Sequence, residues 1–131
     1  MYDLVGWASG TPETGSVYRV KHKGNGRHYL VKVFPFTAHI AWATEVSHLL
    51  SVKGDDSFSQ VVDYHFEPEL QSLSVIVEII KGQTLESFVH QKIEDSEKID
   101  EKLLWHILVE IVRARFRVDF VMDLNLGNVY L

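Results

Sequence analysis

Two stretches near the N-terminus alternate apolar and polar residues, Ser16-Val-Tyr-Arg-Val-Lys21 and His28-Tyr-Leu-Val-Lys-Val-Phe34, and Lys23-Gly-Asn-Gly26 lies between them. A period of two sends successive side chains to opposite faces, which is strand behaviour. Asn-Gly between two such runs is the strongest short-range hairpin signal. This hairpin commits the first third of the chain to antiparallel β-structure. Leu4 and Val5 suggest a strand before it. Gly10 to Gly15, rich in Gly, Thr and Pro, reads as a turn or loop between that strand and the hairpin.

The period then changes. From Ala38 to Val52, residues Ile40, Ala43, Val46, Leu49 and Leu50 fall near one helical face, with Thr37 as N-cap and Lys53-Gly-Asp-Asp56 as the stop. Two further strands are predicted at Gln60 to Phe66 and Leu73 to Ile80, joined through Glu67-Pro-Glu69. After Gly82 a short helix is predicted over Leu85 to Lys92 and a longer one over Glu101 to Arg115. Asp100 caps the longer one, and Glu94 to Lys98 form an exposed loop. Leu103, Leu104, Ile107, Leu108, Ile111 and Val112 give the long helix a wide apolar stripe. Strands with one inserted helix, followed by helices, imply an α+β fold with a five-stranded antiparallel sheet.

Composition removes several function classes. The net charge of −5 provides no basic footprint for nucleic acid and no attraction to an acidic membrane. No apolar run is long enough to cross a bilayer. With no cysteine among 131 residues, disulfide and thiolate–metal frameworks are excluded, which suits a cytoplasmic protein. The seven histidines show no H-E-x-x-H spacing, and there is no G-x-S-x-G elbow. Ser16, not lysine, follows Gly15, which argues against a P-loop. Trp7, Trp42 and Trp105 are scattered and read as core or partly buried residues.

The chemistry is concentrated in four segments. Met122-Asp-Leu-Asn-Leu-Gly-Asn-Val-Tyr-Leu131 contains D-x-x-x-x-N. Tyr29-Leu-Val-Lys32 places a lysine in an apolar strand, and Glu45-Val-Ser-His-Leu-Leu50 places an acid on the following helix. Val75-Ile-Val-Glu-Ile-Ile-Lys-Gly82 is an apolar strand running into a glycine turn. Together with Gly10-Thr-Pro-Glu-Thr-Gly-Ser-Val17, this order resembles the small lobe of a protein kinase and the start of its large lobe. The resemblance divides the chain into a small lobe at 1–80 and a hinge with the start of the large lobe at 81–131. It is closest to the NIMA-related (NEK) group of Ser/Thr kinases, through Glu45 to Leu50, Asp100-Glu-Lys-Leu-Leu-Trp105 and Asp123 to Leu131.

The resemblance implies particular roles. Gly10, Gly15 and Val17 would belong to the Gly-rich loop, and Lys32 would bind ATP phosphates and pair with Glu45. Val77 would be the gatekeeper, and Glu78 to Ile80 would offer backbone groups to adenine. Asp123 would be the catalytic base and Asn128 a Mg²⁺ ligand. The family activity is ATP-dependent phosphoryl transfer to protein Ser/Thr, with protein substrates or partners.

There are also departures. Pro12 replaces the middle glycine and has no N–H to offer phosphate. Val121 and Met122 stand where the family has His and Arg, and Asn125 stands where it has Lys. The family's Asp-Phe-Gly segment, activation loop and remaining helices are not among these residues. The expectation is therefore an inactive, truncated and degenerate kinase domain. The alternatives are a pseudokinase interaction module and a small-molecule phosphotransferase of the aminoglycoside or choline kinase type. The compact interval from Glu78 to Asp123 argues against the last.

Overall fold

A computed structural model describes residues 1–11, 15–119 and 124–131. The elements in order are β1 (Tyr2–Thr11), β2 (Gly15–His22), β3 (His28–Pro35), α1 (His39–Ser51), β4 (Val61–Glu67), β5 (Ser72–Glu78), α2 (Leu85–Glu94) and α3 (Glu101–Phe116). Short 3-10 turns lie at Phe36–Ala38, Pro68–Leu70 and Leu126–Asn128. The fold is α+β, and the chain divides into two compact units, Met1–Ile79 and Ile80–Leu131. No described helix is long and apolar enough to cross a membrane.

The first unit is a five-stranded sheet in the order β1-β2-β3-β5-β4, antiparallel at every pairing. The β2–β3 hairpin forms where Asn25-Gly26 places it, but through residues 23–27 and not through a two-residue turn. A side chain accounts for the longer loop. His22 Nδ1 accepts from the N–H groups of Gly24 (3.0 Å) and Asn25 (3.1 Å), and Asn25 Oδ1 accepts from Arg27 N–H (2.8 Å). Gly10 and Thr11 belong to the end of β1, not to a loop, and pair with Ser16 and Gly15. Residues 12–14, including Pro12, lie outside the described residues.

Alternation along β3 places Leu30, Lys32 and Phe34 on one face. In register across the sheet, Lys32 lies between Val17 and Val75, Leu30 between Arg19 and Val77, and Phe34 beside Leu73. Helix α1 covers this face. Phe34, Val46, Val61, Leu73 and Val75 form the main core, with Trp42, Leu49 and Val77 packed against it. The helix is where its period predicts, but its buried side is Trp42, Val46 and Leu49. Ile40 is 72% exposed, Leu50 is 41% exposed, and Ala43 is also exposed. Trp42 decides the rotation, because it contributes the largest apolar side chain and its Nε1–H donates to the Ser74 carbonyl at 3.0 Å. Thr37 does not cap α1. It lies within the preceding 3-10 turn, and Ala38 takes the cap position without a side-chain bond.

The opposite face of the sheet carries Val20, Tyr29 and Ile76, with Tyr2 and Val31 against them. Tyr2 meets the His22 and Tyr29 rings edge-on, with centroids 5.0 and 6.1 Å away. Burial pushes the Tyr2 phenol above its ordinary range, with further upward contributions from Asp63 and Tyr29. A phenol raised in the folded state favours folding below its unfolded value and loses that contribution as pH rises through the folded one. Stability should therefore decline on the alkaline side, beyond the ordinary tyrosine value of about 10. Tyr2→Phe should flatten that decline in urea titrations measured across pH.

One organiser gave no signal in the sequence. Gln60 precedes β4, and its Nε2 lies 3.2, 2.7 and 3.1 Å from the carbonyls of Val52, Asp55 and Phe58. Its Oε1 accepts from Gly54 N–H at 2.8 Å, so one amide ties down the α1–β4 connection.

In the second unit, Thr84 caps α2 by accepting from Ser87 N–H (3.1 Å), and Asp100 caps α3 by accepting from Lys102 N–H (3.1 Å). The chain's last residues return to the start of α2. Leu85 N–H donates to Val129 O (2.7 Å), Leu131 N–H donates to Gln83 O (2.9 Å), and Thr84 bridges Tyr130. The stripe expected on α3 is divided. Ile107 is buried, and Leu103 and Ile111 are half-buried, whereas Leu104, Leu108 and Val112 are exposed.

Candidate functional site

Lys32 reaches its position through the β2–β3 hairpin, and Glu45 through the rotation of α1 that Trp42 and Val46 impose. Lys32 Nζ lies 3.0 Å from Glu45 Oε2, and the two side chains are 34% and 36% exposed. Hydrogen-bonded and half-buried, this pair is screened less than a surface ion pair. The Lys32 ammonium also lies over the Phe34 ring, 4.8 Å from its centroid. The strand period carried the signal for this contact, since Phe34 is two residues from Lys32.

Gly15 is held against the lysine. With φ at +116°, it adopts a backbone that L side chains rarely take, and a Cβ there would lie 3.2 Å from Lys32 Cε. The absence of a side chain lets β2 begin directly beside the Lys32 stem, and Val17 sits opposite Lys32 in the register. Gly10 has φ at +91°, and a Cβ there would lie 2.1 Å from the Gly15 carbonyl oxygen. Both positions thus call for glycine on backbone grounds, whatever else they do. Gly10→Ala should cost about 1–3 kcal/mol through backbone strain, read as a lower urea midpoint.

Four of the predicted residues, Gly15, Val17, Lys32 and Glu45, therefore gather on one part of the first unit. Gly10 stands at the neighbouring hairpin end. Glu78 closes β5 opposite Tyr29, and its N–H donates to the Gln60 carbonyl at 3.0 Å. That N–H is therefore occupied within the chain. Val77 packs against the main core from β5.

The remaining residues belong to the second unit. Ile80 opens it and is 41% exposed. Asn128 lies in the Leu126–Asn128 turn, which Asn125 organises by accepting Gly127 N–H at 2.9 Å, and Asn128 N–H donates to the Asn125 carbonyl at 3.0 Å. Asn125 is thus a turn-forming residue. Asp123, Val121 and Met122 lie outside the described residues. Among the described residues no three His, Asp or Glu side chains come together as a metal cluster. Neither a protein-family model nor a curated protein matches this chain.

Chemically, the Lys32 group offers a cation held in a fixed place by a carboxylate, beside a glycine that admits close approach. Such an arrangement suits an anionic ligand group, phosphate above all.

Proposed function

We propose that the chain is a protein-kinase-like domain of NIMA-related type that contacts adenine nucleotide weakly through Lys32 and does not transfer phosphate. The observation that carries this reading is the 3.0 Å Lys32–Glu45 ion pair between the third strand and the following helix. In protein kinases a strand lysine and a helix glutamate must pair in this way for the phosphates to be held. The five-stranded antiparallel sheet and the Gly15 approach to Lys32 support it further. On the same reading Asp123 has the base position and Asn128 the metal-ligand position. Val121 and Met122 remove the family's His and Arg, and Pro12 removes a backbone donor from the phosphate loop. ATP and Mg²⁺ would supply the phosphoryl group and the charge neutralisation.

Thermal unfolding with millimolar Mg·ATP tests the binding half of the proposal. A ligand present near its Kd stabilises a fold by about 0.4 kcal/mol, whereas one at ~100 times Kd gives about 2.7 kcal/mol. The expected result is a shift of the smaller size that disappears in Lys32→Ala. A shift of the larger size, lost in Lys32→Ala, would overturn the weak-binding reading. A shift that persists in Lys32→Ala would remove Lys32 from the site.

A further inference from the structure

Helix α3 exposes six large apolar side chains: Leu104 (44%), Trp105 (59%), Leu108 (49%), Val109 (41%), Val112 (45%) and Phe116 (86%). At 3.6 residues per turn they fall within a single arc of roughly 140°. Leu103, Ile107, Ile111 and Ala114, which are covered, occupy a different arc. Isolated exposed apolar residues are ordinary, but a contiguous face of this size marks a surface that another molecule covers.

The charges on this arc indicate which molecule. Glu101 lies on it in the first turn and Arg115 in the last, with Leu108 midway between them. We propose that a second copy of the chain covers this face, the two α3 helices packing antiparallel about a two-fold axis at Leu108. In that arrangement Glu101 faces Arg115 of the second copy at both ends. Leu104 faces Val112, and Leu108 meets its own counterpart. A parallel pairing would oppose Glu101 to Glu101 and Arg115 to Arg115. An isologous interface must be self-complementary in this sense, and here the charge order makes it so only in the antiparallel sense. The present partners of the two charges are weak. Glu101 Oε1 lies 3.4 Å from Trp105 Nε1, and Arg115 Nη1 lies 3.4 Å from the Val118 carbonyl. Both distances are long for hydrogen bonds, so re-aiming either side chain loses little.

The test uses the whole 131-residue chain, which has no native cysteine. Sedimentation equilibrium at micromolar concentration should give a dimer, and Leu108→Asp a monomer with an unchanged far-ultraviolet circular dichroism spectrum. Glu101→Arg and Arg115→Glu should each weaken association about tenfold, since each removes two interhelical ion pairs. The double variant should restore the parent affinity. Leu108→Cys should cross-link two copies on mild oxidation, and Leu104→Cys should not. A monomeric parent would overturn the proposal. So would a dimer that persists in Leu108→Asp, a double variant no stronger than the single ones, or equal cross-linking at both cysteine positions.

Discussion

Leu73→Ala should destabilise the first unit by about 2–5 kcal/mol, the cost of removing buried methyl groups and leaving a cavity. Leu73 is fully buried on β5, beside Phe34 on β3 and Phe66 on β4, within the cluster that α1 covers. Strand β5 is hydrogen-bonded on both sides, to β3 and β4, and cannot collapse into the space, which favours the upper part of the range. A domain of this size has only about 5–15 kcal/mol of total stability, so the variant should be close to unfolding at physiological temperature. Urea denaturation followed by tryptophan fluorescence, with Trp7 and Trp105 replaced by Phe so that Trp42 alone emits, reports on this core directly. Ile40→Ala on the outer side of α1 is the matched control and should change stability by less than about 0.5 kcal/mol. If Ile40→Ala proved as costly as Leu73→Ala, the orientation of α1 would be wrong. The position of Glu45 would be wrong with it.

The second large effect concerns phosphoryl transfer. With radiolabelled γ-phosphate, the 131-residue chain should label neither generic Ser/Thr substrates nor itself above the buffer rate. Transfer of this kind depends on positioning and on neutralising charge as it develops. On the proposed reading, the Lys32–Glu45 pair would supply one part of that assembly. On the same reading, Val121 and Met122 would supply neither the charge nor the hydrogen bonds of a His and an Arg at those positions, and Pro12 would offer no N–H to phosphate. Losing one transition-state contact costs on the order of 10²–10³ in rate. Several losses in one assembly do not simply add, but together they leave little above background. Turnover that is clear in the parent and lost in Asp123→Asn would establish an active kinase and overturn this reading.

The strands, the hairpin and the three helices were legible because each rests on a local period or a local cap. Asp100 before α3 and Asn25-Gly26 before β3 are examples. What a helix turns toward the core was less legible. Helices α1 and α3 each carry apolar residues around more of their circumference than one contact can cover, so periodicity alone leaves the buried arc undetermined. On α1 the choice follows from a bond between Trp42 and a strand carbonyl far along the chain. The Lys32–Glu45 pair was legible from its resemblance to a known arrangement. The ring of Phe34 beneath Lys32 needed only the strand period. The roles of His22 and Gln60 had no such signal, because a side chain that accepts or donates to several backbone groups is specified by the loop path and not by composition.

The strand order carries a consequence for how the molecule is made. Of the five described strands of the sheet, β5 leaves the ribosome last, yet it occupies the place between β3 and β4, and β4 pairs with none of the other described strands. Until Ser72 to Glu78 has emerged, the growing chain holds a three-strand meander whose β3 edge is still open and a separate β4 segment without its strand partner. Such long-range closure is slow, and unpaired strands in the meantime are prone to associate with other chains. Biogenesis of this protein should therefore be most sensitive to chaperone supply, and to pauses in translation, just before β5 appears.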